Sequence, residues 1–217
     1  MENIIEENTK FDEKNTEEIA IKKKLNILLY NIITFDANEW EEIHNQLNEG
    51  IVGKNVSSKD CYRIGFIKYL IGFAKENNIL FAKDGNHFYI YNGQYWIKIS
   101  EDLLKGFLHI AAKKMGIPDS LSSCVKFIKS TYDQLIESGF FEKMVQSNVT
   151  YLNVLNGTLK IDLHGLKLVN FDSKHFLTHQ LDFIYDKNTV NNVWLDFLNK
   201  VLPDKDTQKT LQQAIGY

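Results

Sequence analysis

Apolar positions in the first third of the chain follow a helical period. Between residues 17 and 34 they recur every three or four positions, which is typical of an amphipathic helix rather than a strand. A second helix is predicted over residues 36–50, with Asp36 or Asn38 as its cap, and a third begins between residues 57 and 60. The sequence therefore predicts a mainly helical start.

From Ile79 onwards the apolar positions alternate, as in a strand. Asp84-Gly85 and Asn92-Gly93 interrupt this alternation, and both dipeptides favour tight hairpin turns, so residues 79–99 are predicted to form a three-stranded meander. Ser100 is then expected to cap a helix, and another helix is predicted over residues 121–137.

A second alternating region covers residues 151–171. Asn156-Gly157 and His164-Gly165 are the predicted turns of a second meander. Alternation continues over residues 177–185, where we expect a further strand with one face in the core. Leu177, His179 and Leu181 begin that face.

Two helices are predicted at the C-terminal end, over residues 194–201 and 206–215. The predicted fold class is α+β, with helices around two small antiparallel meanders, a helical N-terminal part and a helical C-terminal pair. We expect three parts: an acidic, flexible start over residues 1–18, a helical segment over 19–78, and one further domain over 79–217.

Composition excludes several classes of protein. The 217 residues are 44% hydrophobic and carry a net charge of −3, which suits a folded domain with a real core. No apolar run is long enough for a membrane span, and no export signal starts the chain. Two cysteines without a secretory context indicate reduced thiols. The expected location is the cytoplasm, with no membrane partner.

Charge is distributed unevenly along the chain. Residues 1–18 carry seven acids and two lysines, while Arg63 is the one arginine among 25 basic residues. Bidentate contacts to guanine or phosphate need arginine, so any DNA contact is expected to be weak, non-specific, directed at the backbone and sensitive to salt.

The nearest approach to a phosphate-binding loop lies at residues 50–55, Gly-Ile-Val-Gly-Lys-Asn. The motif requires a glycine where Asn48 stands and a serine or threonine where Asn55 stands, because that hydroxyl holds magnesium. We interpret the stretch as a loop between helices, and the chain is not expected to bind ATP.

Paired carboxylates give no clear catalytic site. Asp204 and Asp206 have the spacing of a two-metal primase site, but they precede a helix, where Asp206 is better explained as a cap. Asp182 and Asp186 are too far apart on an extended segment to share one metal.

Histidine and serine patterns are equally uninformative. His175 and His179 have the spacing of a helical zinc pair, yet in the predicted strand they lie roughly 13 Å apart. No metal site or cofactor is predicted from them. Ser122 and Ser123 stand at a helix start outside any nucleophile-elbow motif, so no catalytic residue is assigned.

Two groups of residues are candidates for contact with nucleic acid. Aromatic residues crowd the first meander and are capable of stacking unpaired bases, but we favour their burial in the core. A modest lysine surface, or merely a solvated helix face, is predicted on the helices that follow. The aromatic residues are Phe88, Tyr89, Tyr91, Tyr95 and Trp96, and the lysines are Lys113, Lys114, Lys126 and Lys129.

The order of short motifs over residues 79–217 resembles the phage and plasmid primase-helicases, of the satellite-phage type and related to the poxvirus primase-helicase. The matching domain is the one immediately before the superfamily III helicase. The residues that carry this resemblance are Tyr91-Asn92-Gly93, Tyr95-Trp96, Leu152-Asn153, Asn156-Gly157-Thr158-Leu159, Asp182, Tyr185, Trp194, Phe197-Leu198, Leu211-Gln212 and Gly216-Tyr217.

This resemblance implies a parent protein that unwinds DNA with ATP as a hexameric ring of the AAA+ type during replication of a phage, plasmid or other mobile element. ATP and Mg²⁺ would bind only in the helicase, whose phosphate-binding loop is expected beyond Tyr217. Asn156, Gly157, Thr158, Trp194, Phe197, Gly216 and Tyr217 are then structural residues: Asn156-Gly157 sets the hairpin and Trp194 with Phe197 docks the C-terminal helices.

The main hypothesis is a non-catalytic replication module that couples upstream primase or DNA-binding parts to the helicase ring. The alternative is a stand-alone DNA-binding or repressor-like protein of a mobile element, in which the helix over residues 121–137 reads duplex DNA. An enzyme of another kind is the third hypothesis, although no nucleophile, base or metal set supports it.

Overall fold

The computed structural model describes the backbone of residues 2–49, 56–137, 142–143 and 149–215, and the side chains of residues 16–49, 56–137 and 149–214. The described residues form eight α-helices, one short 3-10 helix and seven strands. The helices are α1 Glu2–Asn31, α2 Ala37–Asn48, α3 Ser58–Glu76, α4 Glu101–Lys114, α5 Asp119–Ser122, α6 Val125–Glu137, α7 Asn192–Val201 and α8 Lys205–Ile215, and the 3-10 helix is Ser173–His175. The strands are β1 Phe81–Asp84, β2 His87–Tyr91, β3 Trp96–Ile99, β4 Glu142–Lys143, β5 Thr150–Val154, β6 Gly157–Asp162 and β7 Gly165–Val169.

The predicted α+β class is confirmed, and so are the helix starts that depend on local capping. Asp36 accepts hydrogen bonds from the backbone amides of Asn38 and Glu39, and Glu39 bonds back to the amide of Asp36. Ser100 caps α4 as predicted, and Ser57 caps α3, whose start was predicted between residues 57 and 60. A side-chain oxygen that satisfies an otherwise unpaired helix amide is a local device, so the sequence reveals it directly.

The helix predicted over residues 121–137 is two helices. His109 Nδ1 lies 2.8 Å from the backbone carbonyl of Ser122, which thereby gains a partner outside the helix. The helix is interrupted at Ser123 and Cys124, and α6 begins at Val125.

At the other end of the chain, α1 begins at Glu2 and so includes the acidic start. The flexibility predicted for that start stays a prediction.

The first meander forms the predicted antiparallel order, and β4 extends it. Phe88 of β2 pairs with Lys83 of β1 and with Ile99 of β3, and β4 runs parallel to the outer side of β1. We call these four strands sheet A. The two-residue β4 was not predicted, because so short a strand leaves no alternation in the sequence.

The second meander, sheet B, has the order β5-β6-β7. Its turns lie one residue earlier than predicted: Val154 pairs with Gly157, so the first turn is Leu155-Asn156, and Asp162 pairs with Gly165. Gly157 is therefore the first residue of β6 rather than a turn residue.

The strand predicted over residues 177–185 is wrong. After the 3-10 helix, the described chain makes a single bridge, in which Leu181 pairs with Val154 of β5. We call residues 172–182 the strap. Its backbone groups bond to single strand residues, Trp96 of β3 and Asn153 of β5, rather than along one neighbouring strand, so the alternation in its sequence does not produce a ladder.

The structure divides into two compact units, Met1–Asp182 and Phe183–Tyr217. In the first unit, helices α1 to α4 and α6 share one apolar core with strands β1 to β3 of sheet A. The boundary predicted at residue 78 stays a prediction. The second unit contains α7, capped by Asn191, and α8, whose Gln208 side chain donates to the carbonyl of Leu202.

Candidate nucleic-acid and docking surfaces

The two motif segments around residues 91–96 and 152–159 meet at Asn153. This buried side chain donates from its amide to the carbonyl of Gln94 (3.1 Å) and accepts from the hydroxyl of Thr158 (3.1 Å). Asn92 fixes the Gln94 loop, because its side-chain oxygen accepts from the amides of Gln94 and Tyr95, each at 2.8 Å. Asn153 thus joins a loop of sheet A to the hairpin of sheet B.

The strap reinforces this junction. The backbone amide of Trp96 donates to Leu177 and its indole N–H donates to Ser173, both at 2.8 Å. Further along the strap, the amide of Leu181 donates to the carbonyl of Asn153 at 2.8 Å. The strap is therefore bonded to sheet A near its start and to sheet B near its end.

Gly157 has a steric role in sheet B. It has a φ of 151°, and a Cβ atom at this position would lie 2.6 Å from the carbonyl oxygen of Val169 on β7. A contact that short requires the backbone of β7 to move. Glycine is thus required by the approach of a neighbouring strand, together with its backbone angle, and Thr158 beside it is buried.

One aromatic feature was missed by the sequence analysis. The ring of Tyr151 on β5 stacks on the imidazole of His175, with centroids 4.2 Å apart and planes inclined by 20°. Both residues are half-buried and line a cavity of about 320 Å³ together with Lys160 and Asp172. We call this pair the Tyr151–His175 platform. The available signal in the sequence was a single tyrosine, Tyr151, in a predicted meander whose next two strands carry Lys160 and Lys167.

Of the other aromatic candidates, Phe88 lies in the core and Tyr95 packs against it, as expected. Phe88 and Trp96 are buried, while Tyr89, Tyr91 and Tyr95 are half-buried. Burial, and then the Asp172 carboxylate, raise the pKa of Tyr91.

Two of the four candidate lysines have partners within the protein. The ammonium group of Lys113 lies 3.3 Å from the Asp119 carboxylate, and that of Lys114 donates to the carbonyl of Leu29 at the end of α1. Lys126 and Lys129 are exposed on α6. The role of these lysines in nucleic-acid binding stays a prediction.

One of the carboxylate candidates caps a helix. Asp204, rather than Asp206, caps α8 and accepts from the amide of Thr207 at 2.8 Å, which corrects the predicted cap. Within the described ranges, no group of three or more His, Cys, Asp or Glu side chains is arranged to hold a metal ion. The loop at residues 50–55 lies outside the described residues.

In the second unit, the rings of Trp194 and Phe197 stack with centroids 5.6 Å apart. They are 47% and 52% exposed, and across its described length α7 has no buried residue. The docking role predicted for these two residues stays a prediction. Gly216 and Tyr217 lie outside the described part of the chain.

Every helix in the described ranges is too short or too polar to cross a lipid bilayer.

No curated protein matches the chain at a significant level. The sequence model of the family described as D5 N terminal like matches residues 66–203, which is more than half of the chain. The match begins inside α3 and includes both sheets, the strap and α7. The chain therefore belongs to the D5 N terminal like family, the N-terminal domain of phage and viral primase-helicase proteins.

Proposed function

We propose that this chain is a non-catalytic module of a phage or plasmid primase-helicase of the satellite-phage type. It couples upstream primase or DNA-binding parts to an ATP-dependent superfamily III helicase ring outside the 217 residues. The family match over residues 66–203 is the observation that carries this proposal. ATP and Mg²⁺ bind in the ring, and the hexamer belongs to the parent protein.

The character of α7 supports the coupling role. Val193, Trp194, Phe197 and Val201 are all exposed apolar side chains on a helix of ten residues. Contiguous exposed apolar groups of this kind mark surfaces that bind another protein part. A module that is coupled to a helicase ring needs such a surface.

The DNA beyond the codon for Tyr217 tests the proposal first. We expect a G-x-x-x-x-G-K-[ST] motif within roughly 60 codons, since that motif places a phosphate at a helix start. The purified 217-residue chain is expected to show no nucleotide turnover. Turnover by this chain, or the lack of such a motif, would contradict the proposal.

In the complete protein, the double substitution Trp194→Ala and Phe197→Ala is expected to reduce DNA unwinding several-fold, because it removes two large apolar contacts. Leu163→Ala is the control, since Leu163 is also an exposed apolar side chain but lies in the turn between β6 and β7. Equal unwinding by the double variant and the control variant would argue against coupling through α7.

The exposed Lys126 and Lys129 on α6 favour one alternative, a stand-alone DNA-binding or repressor-like protein. A titration with a short duplex distinguishes the two functions. Duplex binding that is sensitive to salt and is lost on Lys126→Gln and Lys129→Gln would support the alternative.

A further inference from the structure

The Tyr151–His175 platform lies beside a row of lysines. Tyr151 pairs directly with Lys160 across β5 and β6, and Lys160 pairs with Lys167 across β6 and β7. Directly paired residues in an antiparallel sheet share one face, and adjacent strands are about 4.8 Å apart. The two lysines therefore leave the sheet at about one and two strand spacings, roughly 5 and 10 Å, from the tyrosine.

The two lysines of this row differ in their surroundings. The ammonium group of Lys160 lies 3.0 Å from the Asp162 carboxylate, and that hydrogen bond raises the pKa of Lys160. Lys167 is exposed at the end of the row. Lys160 is thus a fixed cation within an ion pair, and Lys167 is the group better placed to meet an incoming anion.

The strap holds His175 in place from both sides. Before it, the Asp172 carboxylate accepts from the amide of Lys174 at 2.9 Å. After it, Phe176 adopts a left-handed backbone with a φ of 50° and stacks on Trp96, with centroids 5.4 Å apart. A binding surface that is already ordered loses less conformational entropy when a ligand arrives.

His175 also has an unused polar atom. Its Nδ1 is buried and has no hydrogen-bond partner among the residues that the structure describes. A buried ring nitrogen in this state is unfavourable unless a ligand or a water molecule supplies the partner. The cavity of about 320 Å³ beside the ring has room for one group of nucleotide size.

We propose that the Tyr151–His175 platform and Lys167 bind unpaired nucleotides of single-stranded nucleic acid. An unpaired base stacks on the exposed part of the aromatic pair, and a neighbouring phosphate lies towards the lysine row. A duplex keeps its bases stacked inside and offers no free face to the platform. The Asp172 carboxylate at the cavity disfavours a compact, highly charged ligand such as a free triphosphate.

The inference does not depend on the coupling role proposed above. Its site lies in the first unit, and its test uses the 217-residue chain alone. Failure of the helicase proposal would leave this binding in place, and failure of this binding would leave the helicase proposal in place.

Fluorescence anisotropy with a labelled 15-nucleotide oligo-dT strand tests the stacking contact. Tyr151→Leu removes the aromatic face but keeps apolar bulk, and we expect binding about 5- to 150-fold weaker, the range for loss of one stacked base. Tyr151→Phe keeps the ring and is expected to bind like the unmodified chain. Tyr30→Leu, on the exposed surface of α1, is the matched control and leaves affinity unchanged.

The lysine contact has its own readout. Lys167→Gln is expected to reduce the slope of log affinity against log salt concentration by about 0.7, the change for one lost phosphate contact on a single strand. Lys68→Gln, at an exposed position of α3, is the control and leaves the slope unchanged. Thermal unfolding shows whether Tyr151→Leu folds. If it does not fold, Lys167→Gln still tests the site.

Four results would overturn the inference. The first is an unmodified chain that does not bind the strand at low salt, and the second is Tyr151→Leu, correctly folded, with affinity within twofold of the unmodified chain. The third is a duplex of the same length that binds equally well. The fourth is affinity that depends on Lys126 and Lys129 instead of Lys167.

Discussion

Sheet A and sheet B are both meanders of short alternating strands, but they differ in what covers them. In sheet A, Phe88, Ile90 and Ile97 are buried beneath helices. In sheet B, Leu152 and Leu166 are 41% and 46% exposed, while Val154 and Leu159 are buried. The same alternation therefore gives a sheet that builds the core in one place and a sheet with a usable surface in the other.

The aromatic residues follow this difference. Trp96 of sheet A is buried and holds the strap through its indole and its backbone amide, whereas Tyr151 of sheet B is half-buried and borders a cavity. The ring of Trp96 thus contributes to stability, and the ring of Tyr151 is the one that we propose to bind a base. Substitutions in each sheet are expected to separate these tasks.

The largest effect is expected at Trp96. Trp96→Ala should lower the free energy of unfolding by about 3 to 5 kcal/mol, because it empties a buried site and removes the indole hydrogen bond to Ser173 and the stacking on Phe176. Urea denaturation measures this change. Tyr151→Ala, the matching change in sheet B, is expected to cost about 1 kcal/mol or less. Similar costs at both positions would contradict the distinction between the sheets.

Within sheet B, the next effect is expected at Gly157. Gly157→Ala places a methyl group against the Val169 carbonyl and is expected to cost about 2 to 3 kcal/mol. Gly165→Ala is the matched control, since its φ is also positive, at 114°, but its added Cβ meets no atom within 4 Å. About 1 kcal/mol is expected there from backbone strain alone. Thermal unfolding of both variants checks the difference, and equal losses would rule out the steric role of Gly157.

Asn153 lies where the two sheets meet, and its removal is expected to have an intermediate effect. Asn153→Ala leaves the Gln94 carbonyl and the Thr158 hydroxyl without that partner, at a cost of about 1 to 2 kcal/mol. Thr158→Val removes one of these bonds and should cost less. Chemical denaturation of the two variants gives the order, and a larger loss for Thr158→Val would contradict this account of the junction.

The smallest effect concerns pH. The hydrogen bond from Lys160, followed by that from the His164 amide, lowers the pKa of Asp162 below its ordinary value of 3.8. A carboxyl whose folded-state pKa is lowered contributes stability above its unfolded pKa and loses it as pH falls through the folded pKa. Asp162→Asn is therefore expected to flatten the decline in stability below about pH 4 slightly. Melting curves between pH 2 and pH 5 test this, and an unchanged decline would contradict it.

The sequence predicted the features that depend on neighbouring residues. Asp36 and Ser100 were found as caps because the capping bond reaches only two or three residues along the chain. Both meanders were found because asparagine-, aspartate- or histidine-glycine pairs interrupt an alternating pattern at or next to each turn, although the turns of sheet B lie one residue earlier than predicted. Each of these signals lies within a short window of sequence.

Features that depend on distant contacts were not predicted. Residues 177–185 alternate like a strand. Their backbone, however, bonds to Trp96 at Leu177 and to Asn153 at Leu181, and does not form a continuous series of hydrogen bonds with one neighbouring strand. The indole of Trp96 holds Ser173, two residues before His175, and so helps to place His175 against Tyr151. The platform therefore depends on a contact between residues 77 positions apart, which alternation cannot reveal.

Hydrogen exchange of the chain with and without oligo-dT tests most directly whether sheet B is the binding surface and sheet A the structural one. We predict that the strand slows exchange of amides in β5, β6, β7 and the strap, and leaves exchange in β1 to β3 unchanged. Slower exchange confined to α4 and α6, where the candidate lysines lie, or no change in sheet B, would contradict this account.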